Sequence, residues 1–247
     1  MNIFDEIFGY PFEIIESGFA SGRENMDFDM NRTNAVAEGS APSMFRLYGW
    51  KPWCVSLGAN QKESDIDKEA CRKFGFDIVR RPTGGRAVLH AEELTYSVVT
   101  TLPKGMAIHD AYREIHIILL NGISKLGNNL EFEKSQPDFR ELYKQGGSSL
   151  SCFASSARYE IAYQGRKAVG SAQRIIRGIL LQHGSILLGK AHEQLAFVSS
   201  NPNEESRNKL HEYICSHSVS LSEVCGREIS YQECSGAILE AVYNYFD

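Results

Sequence analysis

The fold is decided by one stretch, Arg80-Arg81-Pro82-Thr83-Gly84-Gly85-Arg86-Ala87-Val88-Leu89-His90. Its two glycines stand between an extended apolar run at residues 76–79 and a second one at residues 87–89. Because glycine has no Cβ atom, a ligand can lie almost against the main chain at such a position. The flanking arginines offer charge and paired donors that suit an anionic group. The stretch therefore predicts two strands joined by a bend, which is either a plain turn or a ligand-binding loop.

The composition is that of an ordinary globular protein. The chain has 247 residues, 43% of them hydrophobic and 23% charged, enough for a sizeable core. The net charge of −5 argues against nucleic acid as the main partner. No apolar run approaches the roughly 18 residues of a membrane helix, and the acidic residues 1–6 lack the basic start of a signal peptide. We therefore expect a cytoplasmic protein with neither a membrane nor a nucleic acid as partner.

Periodicity predicts a mixture of strands and helices. The sequence Ser21-Gly22-Arg23-Glu24 is a capping box that opens a helix to about residue 37. Strands are predicted at 44–48, 54–57, 76–81, 87–90 and 95–101, a hairpin at 158–163 with 167–173, and a strand at 178–188 interrupted at Gly184. Helices are predicted at 108–126, 138–144, 204–214 and 231–245, with a short turn near residue 223 and a flexible loop at 146–149.

These elements show no βαβ alternation, so we expect an α/β fold of the α+β type, with mostly antiparallel or mixed sheets and helices packed on them. We found no internal repeat and no low-complexity linker. The expectation is one domain over residues 1–247, with a helical C-terminal portion from about residue 190.

One cysteine stands apart from the others. The chain has six: Cys54, Cys71, Cys152, Cys215, Cys225 and Cys234. No pair has the C-x₂-C spacing of a zinc or redox site, so five are expected to be buried small hydrophobes. Cys152 follows the predicted loop and has small polar neighbours, which fits an accessible thiol. A nearby cation such as Lys167 would favour its thiolate; the alternative is a buried cysteine and a solvated lysine.

Two histidines are candidates for chemistry. His90 and His183 could each act as a base or as a hydrogen-bond donor, or could be strand-end residues with a structural bond. The remaining histidines are expected to be solvated: His109, His116, His192, His211 and His217.

Taken in order, these motifs resemble the biotin/lipoate ligase and transferase superfamily, most closely its cysteine-dependent octanoyltransferase branch. The resemblance is carried by the glycine bend, by Cys152-Phe153, by Gly165-Arg166-Lys167-Ala168-Val169-Gly170-Ser171-Ala172-Gln173 and by Leu181-Gln182-His183-Gly184-Ser185-Ile186-Leu187. It covers about residues 24–188 and implies a fold like the biotin/lipoate protein ligase catalytic domain. After His90, this chain has Ala91 where members of the family usually carry an acidic residue.

The resemblance also implies a reaction. Cys152 would be the acyl-thioester nucleophile, and Lys167 would lower its pKa and contact the acyl carbonyl. An octanoyl group would pass from octanoyl-acyl carrier protein to a lysine of a lipoyl-accepting protein, such as the glycine cleavage H protein, without ATP or a metal. The implied substrate-binding residues are Arg81, Thr83, Gly84, Gly85, Arg86, Ala87, His90, Gly170, Ser171, Ala172, His183 and Gly184. Gly58 is a further position where a ligand could approach the main chain.

Two other functions fit the same resemblance. An ATP-dependent lipoate–protein ligase would share the fold and the strand lysine. Such ligases typically carry a third glycine where this chain has Arg86, and they do not need a nucleophilic cysteine. Arg86 and Cys152 therefore favour the transferase. A non-catalytic protein that binds lipoyl domains or acyl carriers is the third possibility, and it predicts a dispensable Cys152.

Overall fold

The chain combines strands and helices. A computed structural model describes residues 12–127, 130–132, 160–201 and 203–246. In chain order the elements are β1 (Phe12–Ala20), α1 (Gly22–Ala37), β2 (Ser43–Trp50), β3 (Cys54–Leu57), α2 (Lys68–Phe74), β4 (Asp77–Arg80), β5 (Val88–His90), β6 (Glu93–Thr101), α3 (Ile108–Ser124), β7 (Glu131–Phe132), β8 (Ile161–Tyr163), β9 (Arg166–Lys167), β10 (Val169–Ile176), β11 (Ile179–Leu187), α4 (Glu204–His217), α5 (Leu221–Cys225) and α6 (Tyr231–Phe246). Short 3-10 helices cover Glu63–Asp65 and Ala191–Val198. None of the helices in the described ranges has both the length and the apolarity to cross a membrane.

The main layer is a mixed five-stranded sheet in the order β1-β2-β6-β11-β10. Strands β1 and β2 are parallel, whereas the other neighbours are antiparallel. Since side chains alternate along a strand, Phe45 and Leu47 face the main core with α3 and α6, while Met44 and Arg46 face α1. Every residue of β2 is buried, so the sheet is covered on both sides.

Two features help to place the helices that pack on the main sheet. At the start of α1, the Glu24 amide donates to the Ser21 hydroxyl (3.3 Å) and the Ser21 amide donates to the Glu24 carboxylate (2.9 Å). This capping box stabilises the helix start by about 1 kcal/mol. On α3, a Cβ atom at Gly122 would lie 2.8 Å from the Cα of Ile238 on α6. The glycine thus lets α3 and α6 pack closely over the main core.

Two smaller sheets carry the loops of interest. The sheet β4-β3-β5 holds the glycine bend between β4 and β5. It shares its apolar core, including Leu57 and Leu89, with the 3-10 helix Ala191–Val198 and with α4. The sheet β7-β8-β9 contains a tight hairpin whose turn residues, Gln164 and Gly165, have φ values of 50° and 77°. Two consecutive positive φ angles match the type I′ turn that suits a two-residue hairpin.

The structure confirms the predicted α/β fold with mixed sheets and packed helices. The prediction of no βαβ alternation is wrong, because β1–α1–β2 and β3–α2–β4 each place a helix between parallel strands. β1 is not predicted from the sequence, because apolar and polar residues do not alternate regularly in FEIIESGFA. Gly184 does not interrupt β11, since it pairs with strands on both sides. The predicted helix 138–144 and loop 146–149 lie outside the described residues.

Candidate active site

Arg81 holds the glycine bend in place through hydrogen bonds to its main chain. Its guanidinium donates hydrogen bonds to the carbonyl oxygens of Gly84 (2.9 Å) and Arg86 (2.5 Å) within the bend. It also donates to the carbonyl oxygen of Ser56 on β3 (2.9 Å). The side chain is only 4% exposed, and the rigid fork of a guanidinium suits several acceptors at once. Arg81 therefore fixes the shape of the bend and its position on the sheet.

The bend also touches the segment that directly follows β3, through main-chain atoms. The Ala59 amide donates to the carbonyl oxygen of Thr83 (2.9 Å). A Cβ atom at Gly58 would overlap the carbonyl oxygen of Gly85, which itself has a φ of +89°. Glycine at position 58 thus makes room for the bend. The group that lies against Gly58 is thus part of the protein itself, whereas the sequence analysis predicted that a ligand could lie there.

A narrow cavity lies between the bend and strands β10 and β11. Its empty volume is about 360 Å³, including the part open to solvent. The predicted substrate-binding residues that line it are Arg81, His90, Gly170, Ser171, Ala172, His183 and Gly184. The fold thus brings together the bend and the Gly-Ser-Ala strand, which are far apart in sequence. Apolar side chains such as Met26 and Val88 complete the walls.

His183 presents a buried, neutral imidazole to this cavity. Its Nε2 atom lies 2.6 Å from the hydroxyl of Thr83, which is fully buried in the bend. Its Nδ1 atom lies 3.7 Å from the Asp29 carboxylate on α1. Burial lowers the pKa of His183, and the negative charge of Asp29 opposes that shift only in part. The bond to Thr83 joins the bend to the main sheet.

His90 is held from two sides. Its Nε2 atom lies 2.7 Å from the hydroxyl of Ser56, and its Nδ1 atom lies 2.7 Å from the Glu93 carboxylate. Its ring stacks on Trp50 with centroids 4.0 Å apart. The Trp50 indole in turn donates to Thr95 (2.7 Å), which donates to Glu93. Both histidines therefore carry structural bonds, and any role in proton transfer stays a prediction.

Ser171 connects the cavity to a polar group that the sequence analysis misses. Its hydroxyl lies 2.7 Å from the hydroxyl of Tyr96 and 2.9 Å from Nε2 of His116 on α3. His116 is fully buried, so the prediction that it is solvated is wrong, and so is the same prediction for His192. Both residues sit on helices with a buried face, and a single histidine does not reveal which face it occupies.

Gly184 is needed for this arrangement. A Cβ atom there would lie 2.6 Å from the ring of Tyr96 and 2.8 Å from the carbonyl oxygen of Gly170, and it would overlap the hydroxyl of Ser171. Such contacts are shorter than any ordinary packing distance. The position lets β10 and Tyr96 approach each other at the cavity wall.

Lys167 is buried beside a carboxylate that the sequence analysis does not single out. Its Nζ atom lies 2.8 Å from Oε1 of Glu160, and the two side chains are 4% and 5% exposed. Lys167 is the last residue of β9, and the chain enters the main sheet at Val169. The alternative of a solvated turn lysine is therefore wrong. A lysine in a hairpin is usually exposed, so nothing in the local pattern predicts its burial.

Five of the twelve predicted substrate-binding residues do not line the cavity: Thr83, Gly84, Gly85, Arg86 and Ala87. Thr83 nevertheless contacts the lining residue His183. Ala87 is fully buried in the apolar core of the small sheet, and it is not among the cavity-lining residues. Arg86 is partly exposed and lies near Tyr213 on α4, where its positive charge opposes the rise that burial causes in the pKa of the tyrosine. Cys152 lies outside the described residues, so its role as nucleophile stays a prediction.

The other cysteines mostly fit the expectation of inert thiols. Cys54, Cys71 and Cys234 are buried, whereas Cys215 and Cys225 are half-buried, so the prediction of full burial is wrong for the last two. Burial raises the pKa of Cys71 to about 11 and that of Cys54 and Cys234 further. A thiol with a raised pKa is protonated at neutral pH and is a poor nucleophile.

Known proteins are similar to this chain in sequence. The lipoyl protein ligase A/B catalytic domain matches residues 21–243. Octanoyltransferase LipM of Kyrpidia tusciae is 38% identical over 233 residues, which cover 93% of this chain and 85% of that protein. Octanoyltransferase LipM of Bacillus subtilis is 34% identical, with 93% and 84% covered.

Solved structures agree in fold. A chain from the structure of a bi-partite lipoate protein ligase and its E2 lipoyl domain from Thermoplasma acidophilum superposes with a TM-score of 0.72 and 19% identity, covering 95% of this chain and 83% of that one. A lipoate-protein ligase A bound with ATP gives a TM-score of 0.65 and 19% identity, covering 95% and 84%. The sequence match across most of the chain and the common fold lead to one assignment: this chain belongs to the lipoyl protein ligase A/B catalytic domain family.

Proposed function

We propose that this protein is an octanoyltransferase of protein lipoylation. It takes an octanoyl group from octanoyl-acyl carrier protein and transfers it to a lysine of a lipoyl-accepting protein, such as the glycine cleavage H protein. The observation that carries the proposal is the narrow cavity, because Arg81, Val88 and His90, which flank the glycines of the bend, line it together with residues 170–172. Relatives named octanoyltransferase, up to 38% identical over nine-tenths of the chain, support the same acyl group.

The proposed chemistry divides one acyl transfer into two steps. The thiolate of Cys152 attacks the thioester carbonyl of the donor, the carbon–sulfur bond to the carrier breaks, and the carrier leaves as a thiol after taking up a proton. The lysine amine of the acceptor then attacks the acyl-enzyme, releases the Cys152 thiolate and loses a proton to form an amide. Because a thioester already carries an activated acyl group, this route needs neither ATP nor a metal.

Lys167 supplies the positive charge that this chemistry needs. An ammonium close to a thiol lowers the pKa of the thiol, and it also stabilises the oxyanion that forms in each step. The carboxylate of Glu160, 2.8 Å from the Lys167 ammonium, offsets part of that charge. The ion pair therefore fixes the position of the lysine side chain in the protein interior, and the carboxylate reduces the positive field at the reacting atoms.

The bend and the histidines position the acyl group. Arg81 fixes the bend through carbonyl contacts, and Thr83 links the bend to His183. The neutral His183 adds no charge to a cavity that binds an uncharged alkyl chain. We expect the chain to lie between the bend and residues 170–172, with its thioester end toward Lys167.

The deciding experiment is intact mass spectrometry after incubation with octanoyl-acyl carrier protein in the absence of ATP. We expect a mass increase of one octanoyl group on the wild-type protein and none on Cys152→Ala, with Cys225→Ala as a control that keeps the adduct. The acceptor H protein should then remove the octanoyl group from the enzyme. No adduct without ATP, combined with acceptor modification by free lipoate and ATP, would instead identify a ligase. Absence of both reactions would leave a binding protein.

A further inference from the structure

Away from the cavity, three side chains of types that can bind a metal ion lie close together. Glu193 lies on the 3-10 helix Ala191–Val198, and His211 and Cys215 lie on α4. Nε2 of His211 is 3.7 Å from Oε2 of Glu193 and 3.7 Å from Sγ of Cys215. One potential ligand atom of each residue lies within 4.8 Å of the other two. The three groups thus surround one point.

The spacing is close to that of a tetrahedral zinc site. With a Zn–S bond of about 2.3 Å and Zn–N and Zn–O bonds of about 2.0 Å, a tetrahedral angle places the ligand atoms about 3.3–3.6 Å apart. The two separations from Nε2 of His211, both 3.7 Å, exceed these values by a few tenths of an ångström. The separation between the Glu193 and Cys215 ligand atoms is below 4.8 Å.

The sequence supports the arrangement on α4. His211 and Cys215 are four residues apart, so the helix places them on one face. The ring of Phe197 lies 5.1 Å from the ring of His211 and covers one side. The side chains of His211 and Glu193 are 35% and 20% exposed, which leaves an approach for an ion and for a fourth ligand such as water. Lys190, a cation that influences Cys215, is already paired with Glu223 (3.0 Å).

We propose that Glu193, His211 and Cys215 bind a divalent transition-metal ion, with Zn²⁺ the best match to one carboxylate, one imidazole and one thiolate. The site is structural and separate from acyl transfer. It ties the 3-10 helix Ala191–Val198 to α4, and the chain just beyond α4 is bonded to the active-site strand, since the Val219 amide donates to the carbonyl oxygen of Lys167 (3.0 Å). A bound ion would therefore stiffen the support of that strand.

Metal binding at this site must release a proton. The ion would form its bond to sulfur as the thiol proton passes to solvent, so affinity should rise with pH across the neutral range.

The experiment is a titration of the folded, metal-free protein with Co²⁺, followed by competition with Zn²⁺. We expect the near-ultraviolet absorption of a thiolate–cobalt bond and the intense visible bands of tetrahedral cobalt, both displaced by Zn²⁺. Cys215→Ser should abolish the thiolate band. Cys225→Ser, a control at another half-buried cysteine, should keep it, and so should Cys152→Ser.

A second variant helps to distinguish the loss of a metal ligand from misfolding. His211→Gln should weaken Zn²⁺ binding by about 100-fold or more, since loss of a direct ligand exceeds the 10–100-fold effect of an outer-shell change. Circular dichroism would verify that each variant is folded. The proposal is overturned if the wild-type protein gives no thiolate–cobalt band, or if the band persists in Cys215→Ser or disappears in Cys152→Ser.

Discussion

Replacing Lys167 with methionine should destabilise the protein by about 3–5 kcal/mol, the usual cost when one partner of a buried ion pair is removed. The magnitude follows from burial: the two side chains are 4% and 5% exposed, with Nζ of Lys167 2.8 Å from Glu160. Methionine keeps the length and most of the volume of lysine, so the change removes the charge with little loss of packing. The carboxylate of Glu160 would then lie in the interior without the ammonium.

The assay is urea unfolding at pH 7.5, followed by circular dichroism. An exposed pair provides the matched control: Lys209 and Glu205 are 2.6 Å apart but 71% and 75% exposed. Lys209→Met should therefore cost less than about 1 kcal/mol. The double variant Lys167→Met/Glu160→Gln should be more stable than the sum of its single changes predicts, because it leaves no charge unmatched. A cost for Lys167→Met no larger than that of the control, or purely additive single changes, would refute the reasoning.

The same variants test the proposed chemistry. Lys167→Met should raise the pH at which Cys152 reacts with iodoacetamide, since the thiolate loses a nearby cation. Glu160→Gln should lower that pH, because the lysine charge is no longer offset. The labelled peptide must be identified by mass spectrometry, as the chain has five other cysteines. If neither variant moves the alkylation profile, the pair does not act on the thiol.

Two further predictions concern the bend. Gly58→Ala should destabilise the protein by about 1–3 kcal/mol, because the added Cβ atom would overlap the Gly85 carbonyl. The control is Gly236→Ala, where a helix position has open space around it, and this change should stabilise the protein by about 0.5–1 kcal/mol. Thermal unfolding measures both variants, and equal shifts in their unfolding temperatures would contradict the bend geometry. Burial lowers the pKa of His183, so its contribution to stability is present above the unfolded value of about 6.5 and is lost as pH falls through the lower folded value. His183→Gln, which can keep a bond to Thr83, should therefore lose less stability than the wild type between pH 7.5 and pH 5, and an equal loss in both proteins would show that His183 does not contribute.

Much of the fold follows from short-range signals. The capping box at Ser21 sets the start of α1, and the apolar spacing along α3 sets its length and buried face. β1 is not predicted because it lies at the edge of the sheet formed by the described residues, where apolar residues need not alternate. Its position depends on the crossing of α1, which is a tertiary effect that no local pattern records.

The site is predictable in part. The glycine bend and the strand at residues 170–172 stand out in sequence because glycines and small residues mark close approaches. The structure brings Arg81, Val88 and His90, which flank the bend glycines, to one cavity with residues 170–172. The partners of these motifs do not stand out. Glu160 and His116 look like ordinary polar residues of a hairpin and a helix, yet both are buried beside motif residues. Pairing across such distances in the chain is fixed by the packing of elements, and sequence spacing does not contain it.

The burial of Lys167 has a cause in the path of the backbone. At Ala168 the chain leaves the small sheet and joins the main one: Lys167 pairs with Ala162 in β8, while Val169 pairs with Ile186 in β11. A strand that changes partners at this point is covered on both faces, so the consecutive residues Lys167, Ala168 and Val169 are all buried. The charged side chain then requires an internal counter-ion, which Glu160 supplies. Lys167 is consequently held by backbone pairing on both sides, and a fixed ammonium at the junction of two sheets is better suited to stabilise a transient negative charge than one on a free surface turn.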